Sequence, residues 1–295
     1  MRSLILGATG MLGHAIWLNL AQNHTAHGTI RGTLGELTGK CSIFSRTDAR
    51  IIDEVDVLRD EDINKALNEA RPDVVINCVG VVKQLPAANI AMPSISLNSL
   101  YPHRLAKICG SRRIRLIHVS TDCVFSGIKG GYVEGDMADA SDLYGRTKYL
   151  GEVSGTGCLT IRTSIVGRQL SGQTGLLEWF LSKKGTKVAG YRKAIFSGLT
   201  TYALAEIIKA LALEHPNLSG LYHVSSEPIN KHDLLIMLAD AMNLDTEVVP
   251  DDGFVIDRSL DSARFWTETG IPVPNWHAMS TDLAERVSAY EKWRY

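Results

Sequence analysis

Short apolar runs and helix-period stretches alternate along the first half of the chain. Residues 3–6 read as a buried strand, 11–22 as a helix and 26–30 as the next strand. A polar-faced helix is expected over 60–69, then a strand over 74–78 after the turn Arg71-Pro72-Asp73. Beyond these, the pattern predicts a helix over 94–109, a strand over 116–120, a helix over 142–153 and a strand over 159–161. Strands separated by helices imply βαβ units and a parallel sheet. Val74-Val75-Ile76 is the unbroken apolar run of a strand covered on both faces. The fold class read from this is α/β, with a doubly wound parallel sheet of the Rossmann type.

After residue 167 the character changes. Residues 167–175, rich in Gly, Ser and Gln, read as a linker. Helices are expected over 176–181 and 201–213, a strand over 221–224 and an amphipathic helix over 231–242. Pro272, Pro274 and Trp276 mark a packed loop before a C-terminal helix. The division is a dinucleotide-binding unit over 1–167 and a smaller α/β substrate lobe over 168–295.

Charge narrows the partners. Lys plus Arg number 31 against 32 Asp plus Glu, a net charge of −1. Nucleic-acid and anionic-membrane binders need a basic excess, so neither is expected. No stretch approaches the roughly 18 apolar residues of a membrane span. The apolar start is broken by glycines and lacks an export-type cleavage site. Five scattered cysteines without a C-x-x-C spacing read as reduced thiols of a cytoplasmic protein, with no metal site.

Gly7-Ala8-Thr9-Gly10-Met11-Leu12-Gly13 follows the first strand and opens the first helix. Glycines there permit a tight turn and close backbone approach to a pyrophosphate, which sits at the helix N-terminus. The turn thus predicts a dinucleotide. The second strand ends without a carboxylate and is followed by Arg31. An acid at this place suits NAD and an Arg the extra phosphate of NADP, so NADP(H) is the expected cofactor and NAD(H) the alternative. Tyr144 and Lys148, four residues apart, share one helix face about 6 Å apart along the axis. A phenol with an ordinary pKa near 10 is brought toward neutral working pH by a nearby cation. Upstream, His118-Val119-Ser120-Thr121-Asp122 ends a strand in hydroxyls, where α/β folds bind ligands.

In this order and spacing the glycine turn, Ser120-Thr121-Asp122 and Tyr144-Gly145-Arg146-Thr147-Lys148 resemble the extended branch of the short-chain dehydrogenase/reductase superfamily. Val119 through Gly127, Tyr144 through Glu152, Arg162-Thr163-Ser164, Leu260-Asp261 and Gly270 through Trp276 are most similar to dTDP-4-dehydrorhamnose reductases. That likeness spans nearly the whole chain. It implies that Tyr144 gives a proton to a substrate carbonyl as hydride arrives, and that Thr121 hydrogen-bonds the same oxygen. It also implies that Lys148 holds the nicotinamide ribose and lowers the Tyr144 pKa, while Asn98 supports the proton relay. Cys78, Val79 and Gly80 would line the cofactor, with Asp56 and Val57 on its adenine side. Asp122 and Cys123 would meet the sugar, and Trp179, Arg192, Lys193 and Arg258 a nucleotide diphosphate. Chain order in the relatives implies that residues near 195–224 return to the first unit, leaving the lobe discontinuous.

Two positions depart from the rhamnose reductases: Cys123 and Ile165 stand where those enzymes tend to carry aromatics flanking the sugar. The chemistry implied is NADPH-dependent reduction of the 4-keto group of a 6-deoxy nucleotide sugar, with a homo-oligomer as a further option. The rivals are an epimerase or dehydratase on the same scaffold, or a non-catalytic regulatory subunit like the beta subunit of methionine adenosyltransferase. The 4,6-dehydratases carry Thr-Asp-Glu where this chain has Thr121-Asp122-Cys123, so the second carboxyl needed for dehydration is missing.

Overall fold

The computed structural model describes residues 1–45, 50–84 and 86–294. Its central sheet is built from β1 (Arg2–Leu6), β2 (Thr25–Thr29), β3 (Ile51–Ile52), β4 (Val74–Asn77), β5 (Arg115–Val119), β6 (Cys158–Arg162) and a seventh strand, Gly220–His223. The spatial order is Gly220–His223, β6, β5, β4, β1, β2, β3, with every neighbour parallel. The fold is therefore the α/β parallel sheet expected. Side chains alternate between two cores. Ile5, Ile76, Ile117 and Leu159 face one, while Leu4, Leu6, Val75 and Leu116 face the other.

The helix Met11–Ala21 buries Leu12, Ala15, Ile16, Trp17 and Leu20 between the sheet and the helix Thr201–Glu214. Gly28 in β2 makes this packing possible, since a Cβ there would lie 2.6 Å from Ala8 Cβ. The chain order reverses between β1 and β4. That reversal opens a crevice at the strand carboxyl ends, where ligands bind in such sheets. The walls meet closely there: a Cβ on Gly7, after β1, would sit 3.0 Å from Val79 Cγ2, after β4.

Three further small sheets build the smaller unit. Ala194–Phe196 lies between antiparallel Ile229–Asn230 and parallel Ile256–Asp257. Lys187–Tyr191 pairs in parallel with Glu247–Asp251, and Ile165–Val166 with Leu199–Thr200. Helices Lys231–Met242 and Trp276–Trp293 pack beside them. Of the stretch near 195–224, the helix Thr201–Glu214 and strand Gly220–His223 join the large sheet, while Ala194–Phe196 stays in the small one.

Several elements differ from the sequence reading. β3 was not anticipated. The helix expected over 94–109 is instead Ala91–Ser94, a π-helical turn Ile95–Leu100, and Tyr101–Ser111. Pro102 has no N–H to bond the Asn98 carbonyl in α fashion, and the Tyr101 N–H reaches back to Ser96 O. The presumed linker 167–175 contains Arg168, which is buried and ion-paired to Glu178 at 2.8 Å and Glu291 at 2.7 Å. Among the described residues no helix is long and apolar enough to cross a membrane.

Candidate active site

The glycine turn is shaped for close approach. Gly7 sits at φ 87°, a left-handed value that a side chain disfavours. A Cβ on Gly13 would fall 2.1 Å from Gly7 O, so only glycine lets the first helix start against the turn. Gly10 N–H donates to Gly7 O at 3.0 Å, and Thr9 and Gly10 are exposed. Gly10 is the N-cap and brings no side chain, so the first amides of the helix Met11–Ala21 carry no side-chain cap. A cradle that a Cβ would fill, beside uncapped helix amides, fits the pyrophosphate of a dinucleotide.

Arg31 is exposed at the end of β2, and among the described residues it makes no ion pair. Asp56 is engaged in the turn that enters the helix Asp60–Ala70: its Oδ1 accepts from Leu58 N–H at 3.0 Å. Its own N–H donates to Asp62 Oδ2 at 3.1 Å, and neighbouring Val57 is buried in the core. After β4, Val79 N–H donates to Asn77 Oδ1 at 3.1 Å. Burial pushes the Cys78 thiol up to about 12. Gly80 lies against Asn98, whose Oδ1 would be 2.9 Å from a Cβ there.

Asn98 is buried and its amide is fully occupied. Its Oδ1 accepts from Val81 N–H at 2.8 Å, and its Nδ2 donates to Val81 O at 3.2 Å and Thr147 Oγ1 at 3.4 Å. The side chain therefore fixes the loop after β4 against the helix Leu143–Leu150. The carbonyl of the same residue packs on Gly151, where a Cβ would come within 1.8 Å of Asn98 O. The helix ends at Leu150, three residues short of the predicted 153, with Gly151 as its C-cap.

The helix Leu143–Leu150 carries both Tyr144 and Lys148. Asp142 caps it, accepting from Gly145 N–H at 2.8 Å, and Lys83 holds that carboxylate at 2.8 Å from across the cleft. Gly145 allows the helix to press on the turn after β5, since a Cβ would lie 2.3 Å from Cys123 O. Tyr144 is thereby brought beside Thr121. Desolvation raises the phenol pKa above its ordinary value, as do nearby Cys123 and Asp122, while the adjacent Thr121 hydroxyl opposes the rise. Lys148 is buried, and its Nζ donates to Val119 O at 2.8 Å. Burial lowers its pKa to about 8, against the opposing pull of Glu152 and Cys78. Glu152 is anchored by Arg162, with Nη2 to Oε2 at 2.7 Å, and by the Ser120 hydroxyl at 2.7 Å.

Thr121 donates to Asp122 Oδ1 at 3.1 Å and accepts from Cys123 N–H at 3.1 Å. Burial raises the Asp122 carboxyl, with Arg258 and Lys231 opposing. The Cys123 thiol is pushed up to about 12 by burial and by Asp122. It is thus a neutral neighbour of the phenol, not a base.

From the smaller unit the structure brings Arg258 to this turn. Its Nε donates to Phe125 O at 2.9 Å, immediately after the Thr121–Cys123 turn. Lys231 joins it and was not singled out from sequence, where it appears only as the first residue of an amphipathic helix. Arg192 and Trp179 are placed differently. Arg192 is exposed and its Nε donates to Asp252 Oδ1 at 2.9 Å. Trp179 lines a cavity of about 530 Å³ with Lys183, Thr186, Lys187, Val188 and Tyr191. Lys193 is exposed beside Arg192.

Over residues 1–278 the chain matches the family described as RmlD substrate binding domain. A probable dTDP-4,6-dihydroxy-2-methyloxan-3-one 4-ketoreductase from Streptomyces antibioticus is 30% identical over 232 residues, spanning 77% of this chain and 72% of its own. The methionine adenosyltransferase 2 subunit beta of Xenopus laevis is 28% identical over 258 residues, spanning 82% of this chain and 72% of its own. Among solved structures, the dTDP-4-dehydrorhamnose reductase of Bacillus anthracis in complex with NADP aligns with a TM-score of 0.78. That alignment covers 97% of this chain and 99% of that one at 19% identity, a likeness of fold.

Proposed function

The chain belongs to the RmlD substrate binding domain family, in the extended short-chain dehydrogenase/reductase superfamily, and from that premise we propose that it reduces the 4-keto group of a 6-deoxy nucleotide sugar with NADPH. The observation that carries the reading is the meeting of Thr121, Tyr144 and Lys148 at the carboxyl end of β5, beside the glycine turn. The Streptomyces relative, named as a 4-ketoreductase of a dTDP sugar, supports it.

NADPH, when bound, supplies the hydride that adds to the carbonyl carbon. Gly7, Gly10 and Gly13 admit its pyrophosphate, and Arg31 offers a guanidinium for the 2′-phosphate. Tyr144 gives its phenolic proton to the carbonyl oxygen, so the ketone becomes an alcohol. Its raised pKa keeps it protonated at rest, the form a proton donor needs. Thr121 hydrogen-bonds the same oxygen and orients it toward the phenol. Lys148, charged below about pH 8, stabilises the phenolate left behind. The Asn98 side chain holds the cofactor-side loop against the catalytic helix.

Dehydration needs a second carboxyl at position 123, where this chain has a thiol held neutral. A regulatory role like that suggested by the methionine adenosyltransferase subunit has no need of a proton donor, a buried ammonium and a hydroxyl in one place. Incubation with NADPH and a panel of 4-keto nucleotide sugars, followed at the nicotinamide absorbance band, separates the readings. Oxidation with any of them marks a reductase, and none with all of them favours the subunit.

A further inference from the structure

Residues 167–175 follow β6 and the short strand Ile165–Val166, beyond the carboxyl end of the large sheet. The stretch is tied down at both ends. Gln169 joins them: its Oε1 accepts from Gly175 N–H at 2.8 Å, and its Nε2 donates to Thr174 Oγ1 at 3.2 Å. Glu178 fixes the first end, accepting from Gln169 N–H at 2.8 Å and from Arg168 Nε at 2.8 Å. Arg294, just past the last helix, holds the same carboxylate at 2.7 Å and donates to Gln169 O. The second end rests on the glycine turn, since a Cβ on Gly175 would lie 2.7 Å from Met11 Cε. Met11 is the first residue of the helix whose uncapped amides suit a pyrophosphate.

Between these ends Leu170 is buried, while Ser171, Gly172, Gln173 and Thr174 are exposed. A stretch needed only for packing would bury its side chains; this one presents hydroxyls and an amide. Leu170 through Gly175 contains no carboxylate to repel an anion, and the Glu178 charge is taken up by Arg168 and Arg294. Thr174 Oγ1 accepts from Gln169, so its own proton is free to donate. We infer that residues 169–175 form a strap that holds the dinucleotide's pyrophosphate in the glycine turn, with the Thr174 hydroxyl donating to it and Gln169 positioning Thr174. The inference rests on the dinucleotide-binding reading above and extends it to residues outside the turn.

The test measures cofactor release by stopped-flow fluorescence in Thr174→Val, which keeps the branched shape and loses the hydroxyl, and in Gln169→Leu, which unlatches the strap. NADPH should leave Thr174→Val about 10–100-fold faster than wild type, the worth of a hydrogen bond to a charged group, and Gln169→Leu at least as fast. NADH should be released faster by the same factor, because both cofactors share the pyrophosphate. Adenosine 2′-monophosphate, which lacks it, should bind wild type and both variants equally. In the unsubstituted chain, NADPH should slow amide hydrogen exchange over residues 171–175. An unchanged NADPH release rate in Thr174→Val overturns the inference, as does exchange over 171–175 that NADPH leaves untouched. Equal losses for NADPH and adenosine 2′-monophosphate also overturn it, since that is what a merely structural role would give. A wild type that binds neither NADPH nor NADH defeats the dinucleotide reading, and the strap with it.

Discussion

Replacing Tyr290 with Phe removes one hydroxyl from the centre of a buried chain that ends at the glycine turn. His14 Nδ1 lies 2.7 Å from Gly10 O, a carbonyl that can only accept, so Nδ1 carries the proton. Nε2 then accepts from the Tyr290 hydroxyl at 2.5 Å, and Tyr290 in turn accepts from Tyr202 at 3.0 Å. Burial pushes the His14 imidazole down to about 4, consistent with a neutral ring. Without the Tyr290 hydroxyl, the His14 lone pair and the Tyr202 proton are both stranded. Each buried unsatisfied group costs about 1–3 kcal/mol, so the loss should be about 2–6 kcal/mol, with ring packing preserved. For a chain of this size that is a fall in Tm of roughly 4–10 °C. The effect should not stop at stability. His14 sits in the first turn of the cofactor helix and bonds the N-cap carbonyl, so NADPH affinity should weaken as well. Thermal melts and fluorescence titration read the two effects. A Tm within about 1 °C of wild type and an unchanged NADPH Kd would refute the coupling.

Tyr144→Phe should bind NADPH nearly as wild type yet lose turnover by about 10²–10⁴-fold, because only the proton donor is gone. Lys148→Met should damage both, and wild-type rates in Tyr144→Phe would contradict the assigned acid. Arg31→Ala should weaken NADPH more than NADH, since its guanidinium serves only the 2′-phosphate; equal losses argue against that contact. The rate constant kcat/KM for NADPH should fall as pH rises through about 8. Lys148 is protonated below that value and loses its charge above it, so a profile flat to about pH 10 would remove Lys148 from the free enzyme's cofactor site.

The glycine turn and the helix carrying Tyr144 were legible because both are local. A buried parallel strand must be apolar throughout, and β1, β4 and β5 are placed to within a residue or two of their expected bounds. The π-helical turn at Ile95–Leu100 was not legible from period 3.6, although Pro102 contains its cause. The small-unit strands escaped notice for a different reason. Lys187–Tyr191 buries only alternate residues and finds its partner at Glu247–Asp251, so nothing in its neighbourhood announces it. The same distance effect governs the substrate side. Arg192 was read as a diphosphate ligand, and its ion pair with Asp252, sixty positions on, could not be seen from its neighbours in sequence. Lys231 starts a helix as its sequence suggests, but only the pairing of Ile229 with Phe196 sets it over the Phe196 ring. Cations in a sequence are plentiful; which of them meet a carboxylate is settled by tertiary pairing.

The most direct test of the central claim is the stoichiometry of cofactor use. The protein is mixed with NADPH and a 4-keto-6-deoxy nucleotide sugar, and both nicotinamide absorbance and sugar product are quantified over the same time course. Reduction at Tyr144 predicts one NADPH consumed for each alcohol formed, with the signal abolished in Tyr144→Phe. Conversion of the ketone to another sugar with no net NADPH consumed would contradict it.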